Sequence, residues 1–406
     1  MTATATAQGS PFAGIEQAPP DPILGLTEAF NADTNPNKVN LGVGVYQDEN
    51  GKVPVLKAVR EAEKRWYDQE SSKSYLPIDG APAYNKQVQA LLLGPDSPLI
   101  AAGRAVTAEA LGGTGGLKIG ADFLKRFFPD STVFISSPSW ENHRALFEAA
   151  GFRVESYRYY DAETHGLDSD GMMASLRALP SRSIVVLHAC CHNPSGVDLN
   201  REQWDSIVSL FRDSDLVPFL DFAYQGFGAG LEEDAYAVRA FAAAGIPCLI
   251  SSSFSKSFSL YRERVGALTI LTETADEAKR VLSQLKRVIR TNYSNPPSHG
   301  GQVVALVLGD AELRALWEQE LAGMRERIAR MRTLFVHTLR AKGVSQDFSF
   351  IERQRGMFSF AGLPLEAVRK LRSDYSLYIV DSSRICVAAM NERNMGYICD
   401  AIAKVA

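Results

Sequence analysis

The sequence predicts an α/β fold in which helices cover a mostly parallel sheet, with a second, smaller α+β unit beside it. From about residue 105, short β-branched runs alternate with amphipathic segments, a pattern typical of βα units. Runs such as Ile-Val-Val-Leu at 184–187 are continuously apolar, as strands buried on both faces should be. Beyond residue 310 the pattern changes to long helices with isolated short strands, which indicates the second unit.

Strand and helix boundaries in the larger unit follow from capping and helix-breaking residues. Asn200 can cap a helix that reaches residue 211, while Gly151 and Gly245 end the helices predicted at 141–150 and 233–244. The predicted strands span residues 132–136, 153–157, 184–188, 217–222, 248–252 and 265–271. Ligands of such sheets bind at the carboxyl ends of the strands, so the residues just after each strand are the candidates for chemistry.

The smaller unit is expected to draw on both ends of the chain. Its predicted elements are a helix at 311–342, a strand at 356–360, a helix at 365–373 and a strand at 384–388. The segment at 39–46 is expected to pair with them. The resulting division has three parts: an irregular, Pro-rich N-terminal arm at 1–20, a large domain at 54–321, and a small domain formed by 21–53 and 322–406.

Composition excludes several functional classes. The 406 residues are 46% hydrophobic and 22% charged, which is ordinary for a globular protein. With 43 Lys and Arg against 47 Asp and Glu, the net charge of −4 provides no basic surface for nucleic acid. No apolar run approaches the roughly 20 residues of a membrane-spanning helix. Five cysteines, and a first basic residue at Lys38, favour a cytoplasmic protein without a disulfide framework or import signal.

A glycine-rich turn, Gly-Gly-Thr-Gly-Gly at 112–116, precedes an apolar helical pattern at 117–128. Consecutive glycines let backbone N–H groups approach an anion at a helix N-terminus, so one phosphate could bind there. The spacing matches neither a Walker loop nor a dinucleotide fingerprint. A flexible turn without a ligand is therefore an open alternative.

Lys256 lies among serines directly after the strand predicted at 248–252. A desolvated lysine can lose its proton and attack a carbonyl group. The neighbouring serines and Arg264 could hold the phosphate of a cofactor bound to that lysine. The alternative is a solvated lysine in a Ser-rich loop.

Asp221 follows the apolar run at 216–220, at the predicted carboxyl end of a strand. A carboxylate there can pair with a pyridinium nitrogen and keep it protonated, so that the ring acts as an electron sink. Tyr224 could then hydrogen-bond a ring hydroxyl. An ordinary helix N-cap is the alternative for Asp221.

The run His-Ala-Cys-Cys-His at 188–192 has the wrong spacing for a structural zinc site. Adjacent cysteines on a strand would point to opposite faces, so we interpret them as buried thiols and predict no metal. The following Asn193 and Pro194 turn the chain, and the Asn193 amide can reach a ligand.

Two arginines are candidate anion ligands, although either could be a surface residue. Arg384 opens an apolar strand, where a guanidinium can clamp a carboxylate through two parallel hydrogen bonds. Arg290 lies in the run Ile-Arg-Thr-Asn-Tyr at 289–293.

Eight motifs follow one another along the chain. They are Asp-Pro-Ile-Leu-Gly-Leu (21–26), Asn-Leu-Gly-Val-Gly-Val-Tyr (40–46), Gly-Gly-Thr-Gly (112–115), Cys-Cys-His-Asn-Pro-Ser-Gly (190–196), Asp-Phe-Ala-Tyr-Gln-Gly-Phe (221–227), Ser-Phe-Ser-Lys (253–256), Glu-Arg-Val-Gly (263–266) and Asn-Tyr-Ser-Asn-Pro-Pro (292–297). From about residue 20 onwards the chain resembles the aspartate/aromatic aminotransferases, fold-type I enzymes that use pyridoxal 5′-phosphate. The resemblance implies a large domain with a mostly parallel, seven-stranded sheet, a smaller α+β domain, and a homodimer. Ser195 and Ser383 depart from the usual Thr and Gly of the family.

The resemblance also implies roles at the cofactor ring. Lys256 would join the cofactor as a Schiff base and move the substrate proton, while Asp221 would pair with the pyridinium nitrogen. Tyr224 and Asn193 would bind the ring oxygen. These four residues would therefore control the chemistry of the ring.

Residues from two subunits would hold the phosphate and the substrate. The phosphate ligands implied by the resemblance are Gly113, Thr114, Ser253, Ser255, Arg264 and, from the neighbouring subunit, Tyr75. Trp140 would stack on the cofactor, with His143 behind Asp221. The substrate ligands implied by the resemblance are Gly44, Trp140, Asn193, Arg290 and Arg384. Arg384 would bind the α-carboxylate, and Arg290 from the partner subunit would bind a side-chain carboxylate.

Substrate choice divides the resemblance between two branches of the family. Three stretches resemble the aromatic (tyrosine) branch: 75–77, 121–129 and 226–230. Val45, Thr114 and Asn295 look more like the aspartate branch. We therefore expect an enzyme that pairs aromatic amino acids with 2-oxoglutarate and also accepts aspartate. A strict aspartate aminotransferase is the nearest alternative, followed by another pyridoxal enzyme, a regulator on the same scaffold and a zinc-binding protein.

Overall fold

The computed structural model describes residues 10–19 and 23–406. Within them the helices are α1 (Leu24–Ala32), α2 (Lys57–Gln69), α3 (Pro82–Leu93), α4 (Pro98–Ala101), α5 (Gly112–Phe127), α6 (Glu141–Ala149), α7 (Ser169–Arg177), α8 (Arg201–Arg212), α9 (Leu231–Asp234), α10 (Tyr236–Ala243), α11 (Ala275–Asn292), α12 (His299–Gly309), α13 (Ala311–Ala341), α14 (Phe350–Arg353), α15 (Leu365–Tyr375) and α16 (Glu392–Ala403). The strands are β1 (Val39–Asn40), β2 (Ala105–Leu111), β3 (Thr132–Ser137), β4 (Arg153–Arg158), β5 (Tyr160–Asp161), β6 (Gly166–Leu167), β7 (Ile184–His188), β8 (Val217–Phe222), β9 (Cys248–Ser253), β10 (Val265–Leu271), β11 (Phe358–Phe360), β12 (Leu377–Tyr378) and β13 (Arg384–Cys386).

The described residues form a seven-stranded central sheet in the order β2–β10–β9–β8–β7–β3–β4. Neighbouring strands from β4 to β9 run parallel, and β10 is antiparallel to both β2 and β9. Alternate residues of each strand enter different hydrophobic clusters: Val186 and Phe219 face one side, and Val185 and Leu220 the other. The predicted mostly parallel sheet, covered on both faces, is confirmed.

The predicted strands of this sheet agree with the structure to within one residue at each end. The prediction of one continuous helix at 233–244 is wrong. The segment is divided at Ala235 into α9 and α10, because the Asp234 carboxylate turns back to accept hydrogen bonds from the N–H groups of Gly226 and Gly228, at 2.8 and 2.9 Å. The chain therefore changes direction there.

The glycine-rich run at 112–116 is the first turn of α5, so the helix begins five residues earlier than its apolar pattern indicated. Glycine is needed for close packing of this helix on the sheet. A Cβ at Gly116 would lie 2.5 Å from Ser251 Oγ, and one at Gly120 would lie 2.5 Å from the Phe219 ring. The run therefore brings the start of α5 directly against the strands.

Both ends of the chain meet in the smaller unit, as predicted. Strand β1 pairs in parallel with β12, with Val39 opposite Leu377. Strands β11 and β13 pair antiparallel, with Phe360 opposite Arg384. The strand predicted at 384–388 ends at Cys386 and continues as a short 3₁₀ helix. Helix α13 runs without a break through the boundary predicted at residue 321, and the domain limits remain a prediction.

Part of the predicted N-terminal arm can be compared with the structure. Residues 11–14 form a turn and residues 15–19 have no regular secondary structure, which agrees with an irregular segment. Residues 1–9 and 20 of the arm lie outside the described residues, as do Asp21 and Pro22 of the first motif. Among the described helices, none combines the length and apolar character needed to cross a membrane.

Candidate active site

The ends of β7, β8 and β9 and the smaller unit together enclose a cleft of about 210 Å³. Its lining residues are Ile23, Gly44, Gly113, Thr114, Leu117, Trp140, Asn193, Asp221, Ala223, Tyr224, Ser253, Ser255, Lys256, Tyr261, Arg264, Phe358 and Arg384. The cleft thus lies at the carboxyl edge of the sheet, where ligands of such folds bind. Most of the site residues predicted from the sequence meet here within one chain.

Lys256 projects into this cleft from the loop after β9 and is half-buried, not solvated. Its Nζ lies 4.9 Å from the centroid of the Tyr224 ring. Burial lowers the pKa of Lys256 to about 8, with the Asp221 carboxylate opposing this effect and Arg264 adding to it. An amine with such a pKa is in part unprotonated near neutral pH, which is the form that attacks a carbonyl.

Asp221 lies within β8 and is buried, so the N-cap alternative is wrong. Its carboxylate is 2.9 Å from His143 Nε2, and His143 Nδ1 is 2.9 Å from the Ser139 hydroxyl. Burial alone would raise the pKa of Asp221, but the hydrogen bond with His143 and the electrostatic effects of His143, His188 and Lys256 together lower it. A carboxylate that stays ionised in a buried place is suited to hold a protonated ring nitrogen.

The predicted phosphate ligands form a cradle between α5 and the loop after β9. Arg264 Nη1 lies 3.4 Å from the Ser255 hydroxyl and donates to the Tyr261 carbonyl at 2.8 Å. A Cβ at Gly112 would lie only 2.6 Å from Arg264 Nη2, and Gly112 has a φ of +71°. Only glycine combines that backbone with that approach. The cradle, one guanidinium and the N-terminus of α5 fit a phosphate group.

Arg384 is 1% exposed at the start of β13. Its Nη1 donates to Asn193 Oδ1 at 3.1 Å, and its Nη2 donates to the Gly42 carbonyl at 2.7 Å. The guanidinium carbon lies 4.4 Å from the centroid of the Phe358 ring. Within the described chain, Arg384 Nε has no hydrogen-bond partner. A buried donor without a partner is costly unless a ligand satisfies it, and a carboxylate fits this position.

Two further predicted residues border the same space. Trp140 precedes α6, and its ring lies 5.3 Å from the His143 ring in an edge-on arrangement. At Gly44, a Cβ would lie 2.6 Å from the Phe358 ring. Glycine at position 44 therefore allows the Phe358 ring to approach the backbone closely.

Tyr75 and Arg290 do not line the cleft of their own chain. Tyr75 is 93% exposed, and Arg290 is exposed with its Nη1 on the Ser294 hydroxyl. Asn295 Nδ2 donates to the carbonyl of Leu76 at 2.7 Å, which joins the two segments. We call these five residues the Tyr75–Arg290 surface.

Sequence analysis missed two residues that shape the cleft. The Tyr261 hydroxyl accepts a hydrogen bond from the N–H of Tyr46 at 2.9 Å and so holds the segment next to Gly44. Its place three residues before Arg264 could have indicated it. The Phe358 ring lies beside Arg384 because β11 pairs with β13, and nothing in the sequence around Phe358 predicts this contact.

Cys190 and Cys191 are buried free thiols, as predicted, but they do not lie on a strand. Cys190 and Cys191 lie beyond the end of β7, and Cys191 has a φ of +51°, so both thiols can face Asp234. Among the described residues, two groups hold potential ligand atoms within 4.8 Å of one another: Cys190, Cys191 and Asp234, and His143, His188 and Asp221. The absence of a metal remains a prediction.

A sequence model of the family described as aminotransferase class I and II matches residues 36–402. The chain belongs to this family. It is 60% identical to an aspartate aminotransferase of Pseudomonas aeruginosa, over 97% of this chain and 99% of that protein. It is 62% identical to an aromatic-amino-acid aminotransferase of Burkholderia pseudomallei solved covalently bound to pyridoxal phosphate, with a TM-score of 0.95 over 98% of this chain and 100% of that one.

A third similar aminotransferase is named for aromatic amino acids and was crystallised with aspartic acid. An aromatic amino acid aminotransferase of Psychrobacter, cocrystallised with aspartic acid, is 46% identical, with a TM-score of 0.94 over 97% of this chain and 99% of that one. The resemblance inferred from the motifs is thereby confirmed, together with the fold. The protein is an aminotransferase that uses pyridoxal phosphate, and the cradle, Lys256 and Asp221 provide the features that this cofactor requires.

Proposed function

We propose that this aminotransferase moves the amino group of aromatic amino acids and of aspartate to 2-oxoglutarate. The observation that carries the proposal is the meeting of Lys256, Asp221 and Arg384 in one cleft. The similarity to relatives named for aspartate and for aromatic amino acids supports both substrate classes. A strict aspartate aminotransferase is the second candidate, favoured by the 60% identity to the Pseudomonas aeruginosa enzyme.

Bound pyridoxal phosphate supplies an electron sink for the negative charge that develops at the substrate Cα. The ionised Asp221 carboxylate, held by His143, keeps a proton on the ring nitrogen. The Lys256 amine, with a pKa of about 8, can both accept the Cα proton and return it. Tyr224 and Asn193 would bind the ring oxygen.

Two arginines bind the substrate, one for each of its carboxylates. Arg384 receives the α-carboxylate, which every amino acid substrate carries, on a guanidinium already held by Asn193 and Gly42. Arg290 of the partner subunit pairs with a second carboxylate when the substrate has one. Aromatic side chains would occupy the same space after that guanidinium moves into water, since a buried unpaired charge is costly.

A homodimer is part of the proposal. Tyr75 and Arg290 lie on one exposed surface and outside the cleft of their own chain, which is expected if each serves the site of a second copy. The cytoplasmic location expected from the cysteine content remains a prediction.

Borohydride reduction of the holoenzyme, followed by peptide mapping, tests the central assignment. The reduced cofactor should be attached to Lys256, and attachment to another lysine would contradict the proposed site. Specificity constants for tyrosine, phenylalanine and aspartate, measured with 2-oxoglutarate in the same preparation, test the substrate classes. Activity on aspartate alone would select the strict aspartate enzyme.

A further inference from the structure

Arg332 is a buried arginine in α13 that pairs with no carboxylate among the described residues. It is 3% exposed. Its Nη2 donates to the carbonyls of Gly356 and Phe358 at 2.7 and 2.8 Å. Its Nη1 donates to the Ile351 carbonyl at 3.3 Å and contacts the Ser359 hydroxyl. One side chain therefore gathers four oxygen atoms from a segment of nine residues.

Burying the charged guanidinium of Arg332 carries a large free-energy cost. A buried charge is costly unless it is fully hydrogen-bonded, and here all four hydrogen-bonded acceptors are neutral. Burial accordingly lowers the pKa of Arg332 to about 10, which still leaves it charged at neutral pH. The planar, five-donor guanidinium is the side chain that can hold several carbonyls at once. The path of the chain through Gly356 and Phe358 thus depends on Arg332.

The segment that Arg332 holds packs directly against the loop that carries Asn193. The Arg355 N–H donates to the Gly196 carbonyl at 2.7 Å. A Cβ at Gly196 would lie 2.5 Å from the Phe358 carbonyl, and one at Gly356 would lie 2.5 Å from Cys191 Cβ. The two backbones are therefore in direct contact, and a shift of one would displace the other.

The Phe358 ring is the part of this segment that reaches the cleft. The Arg384 guanidinium lies 4.4 Å from its centroid, and the ring also limits the space above Gly44. The Tyr224 ring meets it edge-on at 6.1 Å. Because an aromatic face attracts a guanidinium, the position of Phe358 fixes the position of Arg384.

We propose that Arg332 is a positioning residue that holds Phe358 beside Arg384 and thereby sets the affinity for the substrate α-carboxylate. The inference rests on the proposed function, in which Arg384 binds that carboxylate. Arg332 itself touches neither substrate nor cofactor. Losing the support of the aromatic ring should weaken carboxylate binding by about 3- to 30-fold.

The test compares Arg332→Met and Arg332→Lys in the holoenzyme. Titration calorimetry with 3-phenylpropionate, a carboxylate without an amino group, measures binding apart from turnover. We expect Arg332→Met to raise its Kd, and to raise KM for aspartate and for phenylalanine by the same factor, with kcat within about threefold of wild type. Arg332→Lys should recover part of the affinity, since it restores the charge and some of the hydrogen bonds.

Arg327→Met is the matched control. Arg327 is equally buried in α13, but its Nε donates to Glu49 and its Nη2 to the Met390 carbonyl, away from Phe358. This variant should lose stability without a change in the Kd of 3-phenylpropionate. If Arg332→Met does not fold, Phe358→Leu replaces it and should produce the same rise in Kd and in both KM values.

The outcomes separate two failures. Folded Arg332 variants, or Phe358→Leu, with a wild-type Kd would overturn the positioning role, as would an equal rise in Arg327→Met. Arg384→Lys tests the underlying assumption that Arg384 binds the substrate α-carboxylate. If it binds 3-phenylpropionate as wild type does, the proposed carboxylate clamp itself is wrong.

Discussion

Arg384 and Arg290 are both assigned to substrate carboxylates, yet their surroundings are opposite. Arg384 is 1% exposed, held by Asn193 and Gly42, and faces the same cleft as Lys256. Arg290 is exposed near the end of α11, and its Nη1 contacts the hydroxyl of Ser294. One chain therefore builds the part of the site that every substrate uses, and leaves the part that distinguishes substrates to a surface.

This difference has a physical reason. In the proposed function the buried Arg384 meets a carboxylate of every substrate, because every amino acid and oxo acid has one. A guanidinium that reads the side chain must sometimes remain without a partner, and near a surface it can then return to water at little cost. A second subunit can supply such an arginine without fixing it in a core.

Replacement of Lys256 should have the largest effect, because it removes the proton carrier from the part of the site that every substrate uses. We expect Lys256→Ala to lower kcat for aspartate and for phenylalanine alike by about 10²–10⁴-fold. Steady-state rates with both amino acids measure this. Lys118→Ala is the control, since Lys118 pairs with Asp122 on the surface of α5. Unequal losses for the two substrates would mean that Lys256 also reads the side chain.

Replacement of Arg290 should act on one substrate class. Arg290→Leu should lower kcat/KM for aspartate. The corresponding rise in activation free energy should be about 2–5 kcal/mol, the usual cost of removing one partner of a buried charge pair. The kcat/KM for phenylalanine should change far less. Arg280→Leu, an exposed position on the same helix, is the control. Equal losses for aspartate and phenylalanine in single-turnover kinetics would show that Arg290 supports the site generally.

Mixed dimers test the division between chains. Subunits carrying Arg290→Ala and subunits carrying Lys256→Ala should each be poor with aspartate alone. After exchange, each heterodimer has one site with both wild-type residues, so random mixing should restore about a quarter of the wild-type activity. Mixing two differently tagged Lys256→Ala preparations is the control. No recovery, with heterodimers demonstrated by the tags, would place Arg290 and Lys256 of the same site on one chain.

The smallest expected effect concerns Glu109 of β2, which is 2% exposed. Its carboxyl group accepts from the Ala81 N–H at 3.3 Å. Burial raises the pKa of Glu109 from 4.5 to about 8. Between these values the folded state keeps a proton that the unfolded chain has released. The free energy of unfolding should therefore fall as the pH rises from about 5 to 8, by at most about 1.4 kcal/mol per unit.

Glu109→Gln should remove this part of the pH dependence, because an amide stays neutral throughout. Urea unfolding at about pH 5 and about pH 8 measures the difference between the variant and wild type. The exposed Glu148→Gln is the control and should follow wild type. A slope that is unchanged in Glu109→Gln would mean that Glu109 is ionised in the folded protein.

Prediction from sequence succeeded where the signal is local. Strand β7 is buried at every position and is apolar from Ile184 to Leu187, so its place in the sheet could be predicted directly. The same holds for Lys256 and Asp221, which follow or end such strands. The support behind Arg384 could not be predicted in this way. Arg332 looks like any arginine of a long helix, and its four acceptors lie 19 to 27 residues further along the chain.

Other limits arise from assembly and from backbone geometry. Tyr75 was named, and Arg290 was given its role, only through the family resemblance, since neither residue reaches the cleft of its own chain. The division of the helix at Ala235 depends on a buried contact of Asp234 with the loop before it, which has no periodic signature. In the first case the decisive partner is the second copy of the proposed homodimer, and in the second it is a nearby loop whose path no periodic pattern predicts.

The pairing of β1 with β12 has a consequence for biosynthesis. Val39 leaves the ribosome early, but its partner Leu377 follows only after 338 further residues, some tens of seconds later at the usual elongation rate. The central sheet is complete at Leu271, about a hundred residues before Arg384 is made. A nascent chain can thus form the lysine and phosphate cradle before it has any clamp for a substrate. The order of synthesis favours binding of the cofactor first. A chain interrupted before Arg384 would retain the cofactor site without the arginine that we assign to the substrate carboxylate.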